Sequence, residues 1–481
     1  MFYLFFLIAT ALIFGVYFLC KYKFFANNEK FDLIMTKILK VLVVVYCSLV
    51  LVGILLPDSF ARCLEQNEIA ITPTEASFAL VRWFSALSFV ILPIAVFYKN
   101  KTIKNIANTF CLIMTVVSIC MYPMYMQYAT SSLGRGLNSI GSLSEGFKAF
   151  LLNNTFRSFC YGIKWLLELT IVVSLIFQEK QFFNVSSSKD LIKYFVVLPL
   201  LLIVAMPIYA PQHIFGWSNI IFSAWSFPHI LWIIITIGQI PLIYYVFRNR
   251  DNETKMVVCM TLALSLLYQF NQMFGAISIT IKKLPFQLCN IGSYLIILSL
   301  ITKSRKLFNF TVIVNVVGIM FALFVPDLQG KGLFYLYNMH FIYEHTNVLV
   351  APILALLFKI FPRLDKKALK DCLIGFTIYF VVVLALGSTF NMIAKVTGNN
   401  FYSANYLFMF DAEVATGFVA FLGKLFVPIL NIGAFTFYPF IQFLVYLVFI
   451  LLCVGLYFAI RLCYKIKDSI TQKRAEQTVA N

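Results

Sequence analysis

Apolar runs of about 20 residues, separated by short charged punctuation, occupy most of the chain. They lie near 2–20, 38–56, 79–98, 105–128, 157–178, 191–210, 227–247, 256–276, 284–302, 307–326, 341–361, 371–391 and 437–461. A helix rising 1.5 Å per residue needs about 20 residues to cross the hydrocarbon core of a bilayer. The pattern therefore predicts an all-α integral membrane protein with about 13 transmembrane helices. A further apolar stretch at 411–433 carries Asp411, Glu413 and Lys424, and is expected to be an amphipathic or re-entrant segment on the outer side. The first run starts at Met1 without a basic n-region or a small-residue cleavage site, which predicts a retained span rather than a signal peptide.

The punctuation alternates in charge. Loops after odd-numbered spans are basic: Lys21, Lys23, Lys30 and Lys37, then Lys99, Lys101 and Lys104, then Lys180 and Lys189, then Arg248, Arg250 and Lys255. The series continues with Lys303, Arg305 and Lys306, with Arg363, Lys366, Lys367 and Lys370, and with Arg461, Lys465, Lys467, Lys473 and Arg474. The intervening loops hold few basic residues, Lys282 and Lys283 being the mild exception, and one is acidic (Asp58, Glu65, Glu68, Glu75). Cytoplasmic loops accumulate Lys and Arg, so the N-terminus is expected outside and the C-terminus in the cytoplasm of a plasma-membrane protein.

Composition narrows the function classes. With 61% hydrophobic and 12% charged residues, a soluble enzyme and a disordered chain are both excluded. The net charge of +18, from 38 Lys+Arg against 20 Asp+Glu, would suggest nucleic acid in a soluble chain. Here it falls mainly on the inner segments, where it sets topology and meets anionic lipid headgroups, and no nucleic-acid partner is expected. Most of the eleven cysteines sit inside apolar runs as small hydrophobes, not as a disulfide framework.

Two stretches of the chain are similar in order. FALVRWFSALSFVILP (78–93) aligns with PFQLCNIGSYLIILS (285–299), FCYGIKWLLELTIVVSLIF (159–177) with FIYEHTNVLVAPILALLF (341–358), and KDLIKYFVVLPLLLIVA (189–205) with KDCLIGFTIYFVVVLAL (370–386). Spans 2 to 7 would then repeat as spans 8 to 13. An even number of spans per unit predicts two parallel six-helix repeats plus one extra N-terminal helix. The expected domains are 1–35, a first unit at 36–250, a second at 251–465 and a basic tail at 466–481.

Candidate chemistry gathers at the outer ends of the spans. All four histidines (His213, His229, His340, His345) fall there, as do Cys289 and Asp327. A thiol, an imidazole and a carboxylate at one depth are the groups of a nucleophile, its base and an orienting acid. Equally, Cys289 could be a packing residue and His345 an interfacial polar group. His340 and His345 are five residues apart and stack poorly on one helical face, so no metal site and no cofactor are expected. Lys164 and Glu168, four apart inside the fifth span, can form an intramembrane ion pair or a proton relay. The glycines of SLGRGLNSIGSLSEG (132–146) lack the strand-to-helix context of a phosphate loop.

At LPFQLCNIGSYLIILSLIT (284–302), FNFTVIVNVVGIMFALFVPDL (308–328), FIYEHTNVLVAPIL (341–354) and NYLFMF (405–410), the second half resembles the YwaF/transmembrane-protein-164 family. The resemblance implies a membrane acyltransferase related in fold to the androgen-induced Thr/His hydrolases. It implies Cys289 as nucleophile, His345 as base, and supporting roles for Asp327 and Asn405. His340, at the outer end of the same span as His345, is expected to be a third supporting residue. The first half has Arg82 or Trp83 in place of Cys289 and Ile163 in place of His345, so it reads as catalytically empty. The function expected is a lipid acyltransferase or lipid-ester hydrolase near the outer leaflet, acting on membrane phospholipids or lysolipids. A transporter or lipid scramblase with parallel repeats, or a scaffold without chemistry, are the alternatives.

Overall fold

The computed structural model describes residues 2–24, 29–52, 72–138, 144–179, 181–276, 281–324, 326, 328, 330–412, 423–427 and 429–480. In chain order the helices are α1 (Phe2–Phe18), α2 (Glu29–Val52), α3 (Pro73–Phe97), α4 (Lys101–Ile106), α5 (Leu112–Cys120), α6 (Tyr122–Asn138), α7 (Glu145–Leu151), α8 (Asn154–Glu179) and α9 (Ser188–Val204). They continue as α10 (Ala210–Phe215), α11 (Phe227–Phe247), α12 (Asn252–Ala276), α13 (Leu288–Thr302), α14 (Arg305–Phe310), α15 (Val316–Phe324), α16 (Leu336–Leu357) and α17 (Lys366–Thr397). A two-stranded hairpin, β1 (Leu430–Ile432) with β2 (Phe435–Phe437), precedes α18 (Pro439–Ala480).

Among the described residues each apolar run is helical over most of its length, but only 10 helices are long and apolar enough to cross a membrane. The runs outside that set are α9 and α13, which are short at 17 and 15 residues, and α12, whose last turns carry Gln269, Asn271 and Gln272. Of the segment at 411–433, residues 413–422 and 428 lie outside the described residues, and its end forms β1. Large apolar side chains stand exposed on α1, α2, α11 and α18, among them Leu4, Leu7, Val44, Ile234, Leu451 and Phe458. Faces of that kind suit contact with lipid, as expected of a multi-pass membrane protein.

The chain folds as two compact units that interleave along the sequence: Met1–Pro228, Asn249–Ile279 and Gln329–Tyr343 in one, and His229–Arg248, Thr280–Leu328 and Glu344–Asn481 in the other. In the first unit α3 is the central helix, and from Phe78 to Ala95 all its residues but Leu80, Trp83 and Phe84 are buried, Arg82, Ser85 and Ser88 among them. Its start is specified locally by Pro73 in the first turn and by a capping box. The Thr72 hydroxyl accepts from the Glu75 backbone N–H at 3.2 Å, and the Glu75 carboxylate accepts from the Thr72 N–H at 3.0 Å. Around α3 packs an aromatic core that includes Phe78, Tyr125, Tyr161, Trp165 and Tyr209.

Each unit contains one helix of the same unusual construction. In the first, α4 passes through a five-residue π-helical turn, Ala107–Cys111, into α5; in the second, α14 passes through Thr311–Asn315 into α15. The flanking α segments are six and nine residues long in both cases. Asn100 and Ser304 cap the two helices by accepting from the backbone N–H of Ile103 and Leu307. The basic first residue of each then pairs with an aspartate at the start of a later helix: Lys101 with Asp190 at 2.9 Å, and Arg305 with Asp365 at 2.8 Å. A π-helical turn leaves a local gap in the backbone ladder and re-aims the side chains after it, which is why such turns recur where a helix must present particular groups.

Lys101, by hydrogen bonding, holds the Asp190 carboxyl below the usual carboxylate range, and the Ala368 backbone N–H with Arg305 does the same to Asp365. Carboxyls lowered in the folded state stabilise it above their ordinary value of about 3.9, and that contribution is lost as pH falls through the folded values. The melting temperature of the detergent-solubilised protein should therefore decline below about pH 4. The Asp190→Asn/Asp365→Asn double variant should show a lower plateau and a flatter decline.

Candidate functional site

The candidate site grows from the start of α13. Gln287 occupies its N-cap position, which puts Cys289 in the first helical turn. The Gln287 side chain is held at both ends by the segment around Asn405. Its Nε2 donates to the Asn405 carbonyl at 3.0 Å, and its Oε1 accepts from the Leu407 N–H at 2.9 Å. Leu407 and Phe408 both adopt the left-handed conformation, with φ of +53°, an uncommon one for side chains of that size. Asn405 closes the turn around them: its Oδ1 accepts from the backbone of Phe410 and Asp411, and its Nδ2 donates to the Asp411 carbonyl, each at 3.1 Å. Tyr406 donates to the Ile281 carbonyl and Tyr379 to the Phe286 carbonyl, each at 2.5 Å, fixing the approach to α13 from two sides.

The opposite wall is α16. Among the described residues, the Cys289 sulfur, a Glu344 carboxylate oxygen and a His345 ring nitrogen all lie within 4.8 Å of one another. Glu344 and His345 are buried and Cys289 is half-buried. The Cys289 thiol donates to the Asn290 Oδ1 at 3.2 Å. This proximity depends on a close approach between helices. At Gly292, one turn past Cys289, a Cβ would stand 2.9 Å from Val348 Cγ1 on α16 and 2.9 Å from the Asn315 amide. Asn315 ends the π-helical turn, and its Nδ2 donates to the carbonyl of Leu288. The turn in α14–α15 thus grips the backbone just before the candidate nucleophile, and Gly292 lets α16 close over it.

A thiol, an imidazole and a carboxylate so placed can do two things. They can form a nucleophile with a proton acceptor, or they can supply three donors to a borderline metal ion such as Zn²⁺. The spacing of Cys and His along the chain held no ligand set of that kind, because its members come from two helices far apart in sequence. Beside the Asn405 turn lies a cavity of about 370 Å³, lined among others by Lys282, Asn391, Ser403, Asn405, Asp411 and Tyr438.

Cys289 and His345 are therefore brought together. Asp327 lies outside the described residues. Asn405 is tied to the start of α13 by the bond from Gln287 to its carbonyl, and acts on the shape of the site rather than within the group of three. His340 belongs to the first compact unit, its ring 6.1 Å from Phe270. His213 also lies in that unit, with its Nε2 3.0 Å from the Tyr128 hydroxyl, whereas His229 stands beside Trp232 in the second. Glu344 was the group that spacing passed over. Its signal was an acid inside an apolar span directly before His345, the kind of residue that is costly to bury without a use.

In the first unit Lys164 donates to the Ser85 hydroxyl at 2.6 Å. Glu168 accepts from Ser88, from Thr115 at 2.8 Å and from Tyr46 at 3.4 Å, while feeling the charge of Lys164. The two residues are thus joined to a buried polar network over α2, α3, α5 and α8. Of the positions aligned with Cys289, Arg82 donates through Nε to the Tyr209 hydroxyl and Trp83 through its indole N–H to the Leu202 carbonyl, both at 2.7 Å.

Comparison with known proteins gives one match: residues 221–457, the second half of the chain, match the family model of the TMEM164 family. The matched segment contains Cys289, Glu344, His345 and Asn405. No curated protein and no solved structure matches the chain.

Gly292→Val should push α16 from α13 at a destabilisation of about 1–3 kcal/mol. In a His345→Cys background, oxidation should link Cys289 to the new thiol, read by mass spectrometry of the crosslinked peptide, and Gly292→Val should abolish that link. Asn315→Ala, which deprives the Leu288 carbonyl of its donor, should lower stability by about 1–3 kcal/mol and weaken the crosslink.

Proposed function

On the premise that the second half of the chain is a TMEM164-family membrane region, we propose that it carries a lipid acyl-transfer site. The observation that carries this reading is the meeting of Cys289, Glu344 and His345 within 4.8 Å. His345 takes the proton from the Cys289 thiol, and the sulfur attacks the carbonyl carbon of a phospholipid ester. The S–C bond forms, the ester C–O bond breaks, and the leaving lysolipid oxygen takes the proton from His345. The acyl-thioester then passes to the hydroxyl of a lysolipid, or to water. His345 accepts the proton of the incoming oxygen and returns it to the sulfur. Glu344 stabilises the imidazolium that exists between these transfers, as a buried carboxylate does beside other imidazole bases. The polar cavity beside Asn405 suits the headgroup, leaving the acyl chains to the lipid-facing surface.

The alternating loop charge supports a plasma-membrane protein with its N-terminus outside and its C-terminus in the cytoplasm, and so a site near the outer leaflet. There a membrane lipid, rather than a charged cytosolic thioester, supplies the acyl group. The inner basic segments meet anionic headgroups. The matched six–five–nine construction of α4–α5 and α14–α15, with its matched ion pairs, supports descent of the chain from two parallel repeats. The same duplication favours a second reading as a transporter or scramblase, in which flux would survive loss of Cys289.

The deciding measurement is acyl exchange between a labelled phospholipid and a lysophospholipid by purified protein in vesicles. Cys289→Ala should reduce exchange by about 10²–10⁴-fold, His345→Ala similarly, and Glu344→Gln by about tenfold. A hydroxylamine-labile acyl adduct should appear on Cys289 and be absent from Cys289→Ala. Unchanged exchange in Cys289→Ala would sink the mechanism.

A further inference from the structure

The first unit contains a buried cation whose hydrogen-bonding edge is unpaired among the described residues. Arg157 lies in the first turns of α8, and its side chain is 1% exposed. Its Nη1 donates to the Thr130 hydroxyl on α6, while Nε and Nη2 are buried without a hydrogen-bond partner among the described residues. No carboxylate forms an ion pair with it among the described residues. Glu168, three turns further along α8, is surrounded by Ser88, Thr115 and Tyr46, and Glu145 pairs instead with Lys148 at 2.8 Å. A guanidinium removed from water with two of its donors unpaired is expensive to keep, and such a charge is normally matched by an anion.

The open donors define what would match it. Nε–H and Nη2–H form the side edge of the guanidinium, two parallel donors at the spacing of the two oxygens of a carboxylate or phosphate. The edge sits at the N-terminal end of a 26-residue helix, whose dipole adds positive potential at that point. Asn153 caps this end by accepting from Thr155 and Phe156 N–H, each at 3.0 Å, and so supplies no counter-charge to the guanidinium. One turn below Arg157, Tyr161 stacks on Trp165 at 5.8 Å and meets Tyr125 edge-on at 5.1 Å, which gives an apolar aromatic floor. The ligand that suits both the donor edge and the floor is an oxyanion with an apolar body.

We propose that Arg157 is the anchor of an amphiphile-binding site in the first unit, taking the phosphate of a lipid headgroup or the carboxylate of a fatty acid on its Nε/Nη2 edge. The site gives the first unit a lipid-holding role that is independent of Cys289. It is tested with the full-length, delipidated protein in neutral detergent, by native mass spectrometry and thermal shift. The probes are dioleoyl phosphatidic acid, oleate, and dioleoylglycerol as the uncharged control. The wild type should bind one anionic probe in preference to the control, and Arg157→Gln should weaken that binding by roughly tenfold or more. Arg157→Lys keeps the charge but loses the paired donors, and should also weaken it. Lys148→Gln removes a cation that already pairs with Glu145 and should leave affinity within about threefold, which separates loss of the Arg157 edge from a general loss of positive charge. Binding of phosphatidic acid alone assigns the source as a headgroup phosphate, and binding of oleate alone as a fatty acid. Equal binding by the wild type and Arg157→Lys, or no preference of the wild type for either anion over dioleoylglycerol, would overturn the proposal.

Discussion

The second unit depends on how closely α13 can approach its neighbours. A single added carbon at Gly292 would stand 2.9 Å from both the Asn315 amide and Val348, far inside ordinary van der Waals contact. Removing the side chain there brings three elements together: α13 with its thiol, the π-helical turn ending at Asn315, and α16 with its acid and imidazole. In lipid, where apolar surfaces gain little by meeting each other, small residues that permit close backbone approach and polar groups that bond across helices are the main sources of helix association. The site uses both, since Gly292 provides the approach and the Asn315 amide bonds the Leu288 carbonyl.

The first unit is built around a different solution to the same difficulty. Its helices are tied by charge and hydroxyl groups: Lys164 to Ser85, and Glu168 to Ser88, Thr115 and Tyr46. A buried carboxylate served by three hydroxyls and an ammonium close by has its electrostatic demands met internally. Arg82 and Trp83, the positions aligned in sequence with Cys289, are committed to structural hydrogen bonds with the Tyr209 hydroxyl and the Leu202 carbonyl. Buried polar groups thus join helices in both units, and in the second they include Cys289 beside Glu344 and His345.

Much of this was legible along the chain. The apolar runs marked each of the 10 helices that, among the described residues, are long and apolar enough to cross a membrane, because hydrophobic length is a direct requirement of the hydrocarbon core. Cys289 and His345 were legible through the motifs around them. Glu344 and Asn315 were harder, since an acid beside a histidine and an asparagine within FNFTVIVN have no spacing rule that links them to a cysteine 55 and 26 residues away. Asn405 was legible as a site-related residue, but its work, closing a turn in which Leu407 and Phe408 are left-handed, is not written in any local preference. His340 was read as a supporting residue of the site, and its ring packs with Phe270 in the other unit.

The sequence by itself determined the class of the protein, its helices, the alternation of its loop charge and the residue types available for chemistry. Those properties follow from the solvent: a bilayer selects for apolar length and for segregated charge one segment at a time. Which of the many buried polar residues meet was decided only by the tertiary structure. Contacts between α13 and α16, or between Arg157 and Thr130, depend on helix crossing and rotation, and these are set by the summed packing of many side chains rather than by any one of them. A glycine that admits a neighbour at 2.9 Å and a guanidinium with two donors left open are ordinary letters in the sequence, and acquire their meaning from what the fold puts beside them.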